Sequence, residues 1–140
     1  MFSRVKIKRG ALDHFRKKAR AAFPLEIQAY MIGKIVSVNE IDVTKIVYTT
    51  EYGVQTRGSV SWYLADLNAA KIKASKMGQT IVGDIHSHPS WDAVMSKDDY
   101  AVCIREAYSI QGIVSVSNKK RTRIHFWTPN SALECQIVYI

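Results

Sequence analysis

Cysteine is scarce in this 140-residue chain: Cys103 and Cys135 stand alone, with no C-x-x-C pair. A disulfide framework and a paired-cysteine metal or redox motif are thereby excluded, and a fold of this length needs no covalent staple. Each cysteine lies among apolar neighbours, as a buried reduced thiol does, and neither has an adjacent base to make it a nucleophile. No apolar run approaches the roughly 20 residues that cross a bilayer. The stretch Met1-Phe2-Ser3-Arg4-Val5-Lys6-Ile7-Lys8-Arg9 alternates charge with apolar residues and lacks the apolar core of a signal peptide, so a cytoplasmic location is the expectation. Internal repeats, low-complexity tracts and Pro/Gly/Ser-rich linkers are also missing, which points to one domain over residues 1–140.

Acids are few as well: 12 Asp and Glu against 20 Lys and Arg leave a formal net charge of +8. The imbalance is local. Residues 1–20 carry eight Lys/Arg and the single acid Asp13, and Lys119-Lys120-Arg121-Thr122-Arg123 forms a second basic cluster at an expected hairpin turn. Such clusters either solvate a helix face and a turn or contact an acidic protein or a nucleic acid. Aromatic residues do not interleave with the basic ones, so a nucleic-acid partner is not expected.

What is present is an ordinary soluble composition, 47% hydrophobic and 23% charged. Val5 and Ile7 predict a short first strand. Leu12, Phe15, Ala19 and Ala22 or Phe23 then recur at helical spacing up to Pro24. Strand-like segments follow from Glu26 through Val38 and from Ile41 to Tyr48, with Asn39-Glu40 as the turn. Residues 51–60 read as a loop leading to a short strand. Tyr63, Leu64, Leu67, Ala70, Ala74 and Met77 predict a second helix stopped by Gly78. A strand over residues 79–87 ends near Pro89, and a third helix runs from about Ser96 to Ala107. Ile110 to Val116, Thr122 to Trp127 and Ala132 to Ile140 complete the strands. Helices mixed with hairpins and with distant strand pairs predict an α+β or α/β layered domain.

The chemistry concentrates in His86-Ser87-His88-Pro89 and Ser96-Lys97-Asp98-Asp99, an H-x-H-x7-S-x2-D pattern. On a strand, side chains two apart share a face, so His86 and His88 can converge on one ion; on a helix they would diverge by roughly 200°. A catalytic zinc typically takes three protein ligands and a water, and His86, His88 and Asp99 supply that count. Such an ion lowers the pKa of its water from 15.7 to about 7, after which a nearby carboxylate must accept and return the proton. Ser96, at the entrance to the helix bearing Asp99, can donate to an oxyanion. The same S-x-x-D is also a capping box, and two histidines on a strand need no metal. H-E-x-x-H, the H-x-E with P-C-x-x-C of zinc deaminases, and H-x-H-x-D-H are all absent; Ser90 and Trp91 stand where the last would need Asp and His.

In these residues the chain resembles the JAMM (MPN-plus) metalloproteases, whose H-x-H-P-x6-S-x2-D pattern is met at His86, His88, Pro89, Ser96 and Asp99. The family's upstream glutamate, often after proline and followed by apolar residues and a glycine, matches Pro24-Leu25-Glu26-Ile27-Gln28-Ala29-Tyr30-Met31-Ile32-Gly33. The residues alone leave Glu40 and Glu51 as competitors; the resemblance makes Glu26 the general base. It also implies a cytidine-deaminase-like fold, with a mixed curved sheet flanked by helices, one Zn2+ with its water, and hydrolysis of the amide at the tail of a ubiquitin-like protein.

Ala29-Tyr30 replace the small residues or glycine frequent in the family, and Met95 replaces a common proline. Both departures bear on subfamily and substrate. At this length the chain resembles the compact prokaryotic branch, whose members act on ubiquitin-like or sulfur-carrier proteins, some beside E1-like and E2-like enzymes in bacterial conjugation or antiphage systems. An extended tail is expected to add as a strand near residues 51–62. A non-catalytic MPN scaffold and a basic nucleic-acid-binding module are the rival classes.

Overall fold

In the computed structural model, which describes residues 3–129 and 133–140, the stripe Leu12, Phe15 and Ala19 is the buried face of helix α1 (Arg9–Ala22). The helix follows strand β1 (Arg4–Ile7) and leads to the hairpin of β2 (Gln28–Ser37) and β3 (Glu40–Val47). Next come β4 (Tyr52–Gln55), β5 (Val60–Trp62), α2 (Leu64–Lys76), β6 (Thr80–Pro89), α3 (Lys97–Glu106), β7 (Gln111–Val116), β8 (Thr122–Thr128) and β9 (Leu133–Tyr139). Of the expected last strand, Ala132 lies outside the described residues. No helix among those described is long and apolar enough to cross a membrane.

The mixed, curved sheet forms as expected, and its curvature carries as far as closure. The strand order is β1-β3-β2-β6-β7-β8-β9, and β1 joins the two ends by pairing in parallel with both β3 and β9. Bulges near Ile32 and between Ile35 and Ser37 supply the local twist that bending requires. Gly33 sits where the strands crowd: a Cβ there would lie 2.0 Å from the Asp42 carbonyl oxygen. Gly83 is as constrained, its missing Cβ falling 1.8 Å from the Ile110 carbonyl oxygen. Each glycine lets backbones approach where any side chain would clash.

Strand β2 is buried on both faces, from Gln28 through Gly33. Ala29 and Met31 join the main core with α1, Ile85, Val114 and Phe126, while Tyr30 and Ile32 pack with Ala70 and Ala74 of α2. The sheet is therefore covered by α1 on one side and α2 on the other, and the α2 side carries the polar residues described next.

The sequence reading fails at residues 51–60. Tyr52–Gln55 is a strand, antiparallel to Val60–Trp62 in a separate two-stranded sheet. A register shift between Tyr52 and Val54 breaks the period-2 pattern, and Gly53 and Gly58 read as turn residues. This hairpin leans on the start of β2: the Tyr52 hydroxyl accepts from the Gln28 N–H at 3.2 Å, and the Trp62 indole N–H donates to the Gln28 carbonyl at 3.0 Å.

Candidate metal centre

Strand β6 runs through both histidines, so the two imidazoles share a face, and the α3 N-terminus brings a carboxylate to them. His86 Nε2 and His88 Nε2 lie 3.1 Å apart; His86 Nε2 is 3.1 Å from Asp99 Oδ1, and His88 Nε2 is 3.1 Å from Asp99 Oδ2. Donors on a tetrahedral zinc, each about 2.0–2.1 Å from the ion, are separated by about 3.3–3.4 Å. The spacing fits one ion shared by three side chains, and the candidate ligand atoms all fall within 4.8 Å of one another.

The surroundings set the imidazoles for ligation. The Asp92 carbonyl, which can only accept, is 2.7 Å from His88 Nδ1, so that nitrogen carries the proton and Nε2 presents a lone pair. His86 Nδ1 lies 3.4 Å from Asp84 Oδ2, close enough for an ion pair yet outside hydrogen-bond geometry. The His88 Nε2 lone pair and the Asp99 carboxylate both lie 3.1 Å from His86 Nε2, an arrangement that favours positive charge at that point. Burial opposes charge on His86, yet Asp84 and Asp99 outweigh it and raise its pKa to about 10. Burial likewise opposes ionisation of Asp99, but contacts from His86, His88 and the Ser96 N–H hold its carboxyl well below the usual range. The donor set and geometry are compatible with a metal ion.

Each capping and packing contact places a ligand. Ser96 is the N-cap of α3: its hydroxyl accepts from the Asp99 N–H at 3.1 Å, and the Asp99 carboxylate accepts from the Ser96 N–H at 3.0 Å. The capping box and the metal reading are therefore the same structure, because the cap holds Asp99 beside the histidines. The loop between β6 and α3 is pinned by the Trp127 indole N–H donating to the Ala93 carbonyl at 3.0 Å. Trp91 stacks on His88 with ring centroids 4.3 Å apart, walling one side of the centre.

Glu26 stands just before β2 and is only 4% exposed. Antiparallel pairing of Gln28 with His86, continued by mutual contacts between Ile27 and Ser87, carries Glu26 toward the centre, where His86, His88, Asp99 and Asp84 all act on its carboxyl. Its backbone is clamped to the β4–β5 hairpin through Thr56 and the Gln55 side chain. Burial pushes the Glu26 carboxyl up to about 7, against the pull of His86 and His88. The competitors sit elsewhere: Glu40 pairs with Arg4 and Lys6 at 3.3 Å, and Glu51 is exposed before the hairpin.

Asp84 escaped the sequence reading. Two residues before His86 on a strand, it shares the histidine face, and that spacing was the available signal. Its carboxylate accepts from Gln28 Nε2 at 2.7 Å and Gln111 Nε2 at 2.8 Å, and all three side chains are buried. Gln111 lies two strands from Gln28, a pairing invisible before the topology is known. Asp84→Asn should keep the fold and weaken metal binding by about 10–100-fold, as the loss of a carboxylate behind a ligating imidazole does. A metal titration showing unchanged affinity would remove Asp84 from the site.

A family model described as "Prokaryotic homologs of the JAB domain" matches residues 8–130. The chain belongs to that family. Solved structures agree on the fold of this JAB-domain chain. A protein from Desulfitobacterium hafniense, 17% identical, superposes with a TM-score of 0.74 over 97% of this chain and 92% of its own. A JAB1/MPN domain protein from Archaeoglobus fulgidus, 18% identical, gives 0.59 over 98% of both chains. A protein from Salinibacter ruber, 20% identical, gives 0.63 over 99% of this chain and 90% of its own. A comparison with curated proteins finds no match.

Proposed function

We propose that this JAB-domain chain is a zinc-dependent isopeptidase or peptidase that hydrolyses the amide bond at the C-terminus of a ubiquitin-like protein, in deconjugation or precursor processing. The observation that carries the reading is the 3.1 Å convergence of His86, His88 and Asp99, with buried Glu26 within their electrostatic reach. Two imidazoles and a carboxylate suit catalytic zinc, which typically takes three protein ligands and a water. Bound there, zinc supplies Lewis acidity and brings the pKa of its water near 7.

The chain's own residues do the rest. With a carboxyl titrating near neutrality, Glu26 takes the proton of the attacking water and returns it to the leaving amine. The Ser96 hydroxyl uses a lone pair to cap α3, and its O–H proton is free to stabilise the oxyanion of the tetrahedral intermediate. Beside Glu26, β4 and β5 pair only with each other among the described residues, so an extended tail can add as a strand to that hairpin.

Incubation of the zinc-loaded protein with tail-extended and isopeptide-linked ubiquitin-like proteins tests the reading, with products identified by mass. A cut at the ubiquitin-like C-terminus, abolished by a chelator and restored by zinc, is expected. Intact substrates throughout would favour a scaffold. Ser96→Ala should lower unfolding free energy by about 1 kcal/mol through loss of the cap. It should also slow turnover by about 10²–10³-fold if the hydroxyl meets the oxyanion. A stability loss with unchanged turnover would reduce Ser96 to a cap.

A further inference from the structure

The second basic cluster and Arg20, the last residue of the first, meet in one cleft beside the metal centre. Arg20 comes from the last turn of α1, Lys119, Lys120 and Arg121 from the β7–β8 turn, and Arg123 from β8. With Asp92 as their only acidic neighbour in the lining, these five cations give the cleft a net charge of +4, half that of the whole chain. Its volume is about 1010 Å³. None of the five is ion-paired among the described residues. Lys120 is engaged structurally, donating to the Arg20 carbonyl at 2.9 Å and lying over the Phe23 ring, which fastens the turn to α1.

Strand register ties the cleft to the chemistry. His88 pairs with Ser115 of β7, and Ser115 pairs with Arg123 of β8. Paired residues on neighbouring strands share a face, and each strand step is about 4.8 Å, so Arg123 is only about 10 Å along the sheet from His88. On the other flank of β6, Glu26 and the β4–β5 hairpin border β2. Trp91 and Asp92 belong both to the wall of the metal centre and to the cleft lining. A polypeptide crossing the centre therefore has the hairpin on one flank and the basic cleft on the other.

We propose that this cleft binds an Asp/Glu-rich segment of the cleaved polypeptide, on the side of the scissile amide opposite the hairpin. The proposal rests on the hydrolase reading given above. A polypeptide suits the cleft better than a nucleic acid. Its one exposed aromatic, Trp91, already has a face against His88, a carboxylate lines it, and it shares Trp91 and Asp92 with the wall of the centre proposed for amide hydrolysis.

Fluorescence anisotropy with a short labelled Glu-rich peptide, its Lys-rich counterpart and a length-matched oligothymidylate tests the idea on the zinc-loaded protein. The Glu-rich peptide should bind best. Its affinity should fall with salt, and Lys119→Glu/Arg121→Glu/Arg123→Glu should weaken it by about 10-fold or more. Reversal of three exposed lysines outside the cleft, Lys17→Glu/Lys34→Glu/Lys76→Glu, should weaken it far less. Unchanged melting temperature and zinc content confirm that the cleft variant is folded. Equal loss in both triple variants, no binding, or tighter binding of oligothymidylate through the cleft residues would overturn the proposal. The two readings fail separately: cleavage of ubiquitin-like fusions without acidic-peptide binding sinks the cleft, and binding with no cleavage of any fusion sinks the hydrolase and with it the substrate assignment.

Discussion

His88→Ala is expected to lose metal and cleavage together. The side chain is 1% exposed, oriented by the Asp92 carbonyl, flanked by Trp91 and placed 3.1 Å from both other ligand groups. No other imidazole stands at that position: His14 lies against Tyr48, and His125 pairs with Glu134. The variant leaves His86 and Asp99 as a two-point site, so metal affinity should fall beyond the roughly 10–100-fold that a lost outer partner costs. Cleavage should fall to background. Elemental analysis after dialysis, with circular dichroism to confirm the fold, reads the outcome. A folded variant holding one equivalent of metal would break the ligand assignment.

Glu26→Gln is expected to separate metal binding from turnover. The substitution keeps the volume and touches none of the three ligands, so metal content should stay stoichiometric. General-base catalysis is typically worth about 10²–10⁴-fold, and a loss in that range is expected. Undiminished turnover would move the base elsewhere.

The same variant has a pH signature in the metal-free protein. Burial raises the Glu26 carboxyl from an ordinary 4.5 to about 7, so the folded state favours the protonated form. That contribution to stability is full below about 4.5 and is lost as pH rises through 7. The substituted amide never ionises. At pH 8 the metal-free Glu26→Gln protein should melt several degrees above wild type, and the gain should shrink as pH falls to 5. Parallel melting curves at both pH values would mean that the carboxyl is not held in a desolvated site.

Much of the site was legible because its chemistry is local. His86, His88, Ser96 and Asp99 lie within fourteen residues, and strand and cap geometry determine how they face one another. Glu26 was legible only through family resemblance, since sixty residues separate it from His86 and only the β2–β6 register joins them. Spacing could place Asp84 on the histidine face, but its bonds to Gln28 and Gln111 depend on strand order. Barrel closure was also hidden, because β1 is four residues long and both of its pairings are with strands distant in sequence. The basic cleft follows the same rule: Arg20 and Arg121 are one hundred and one residues apart and meet because α1 packs on the sheet, with Lys120 tying the turn to the helix.

Anomalous diffraction at the zinc edge from crystals of the zinc-loaded protein tests the metal centre most directly. One peak is expected, about 2.0–2.2 Å from His86 Nε2, His88 Nε2 and an Asp99 carboxylate oxygen, with Glu26 facing the open coordination position. An anomalous peak bound elsewhere, or none at this triad under saturating zinc, would contradict the account.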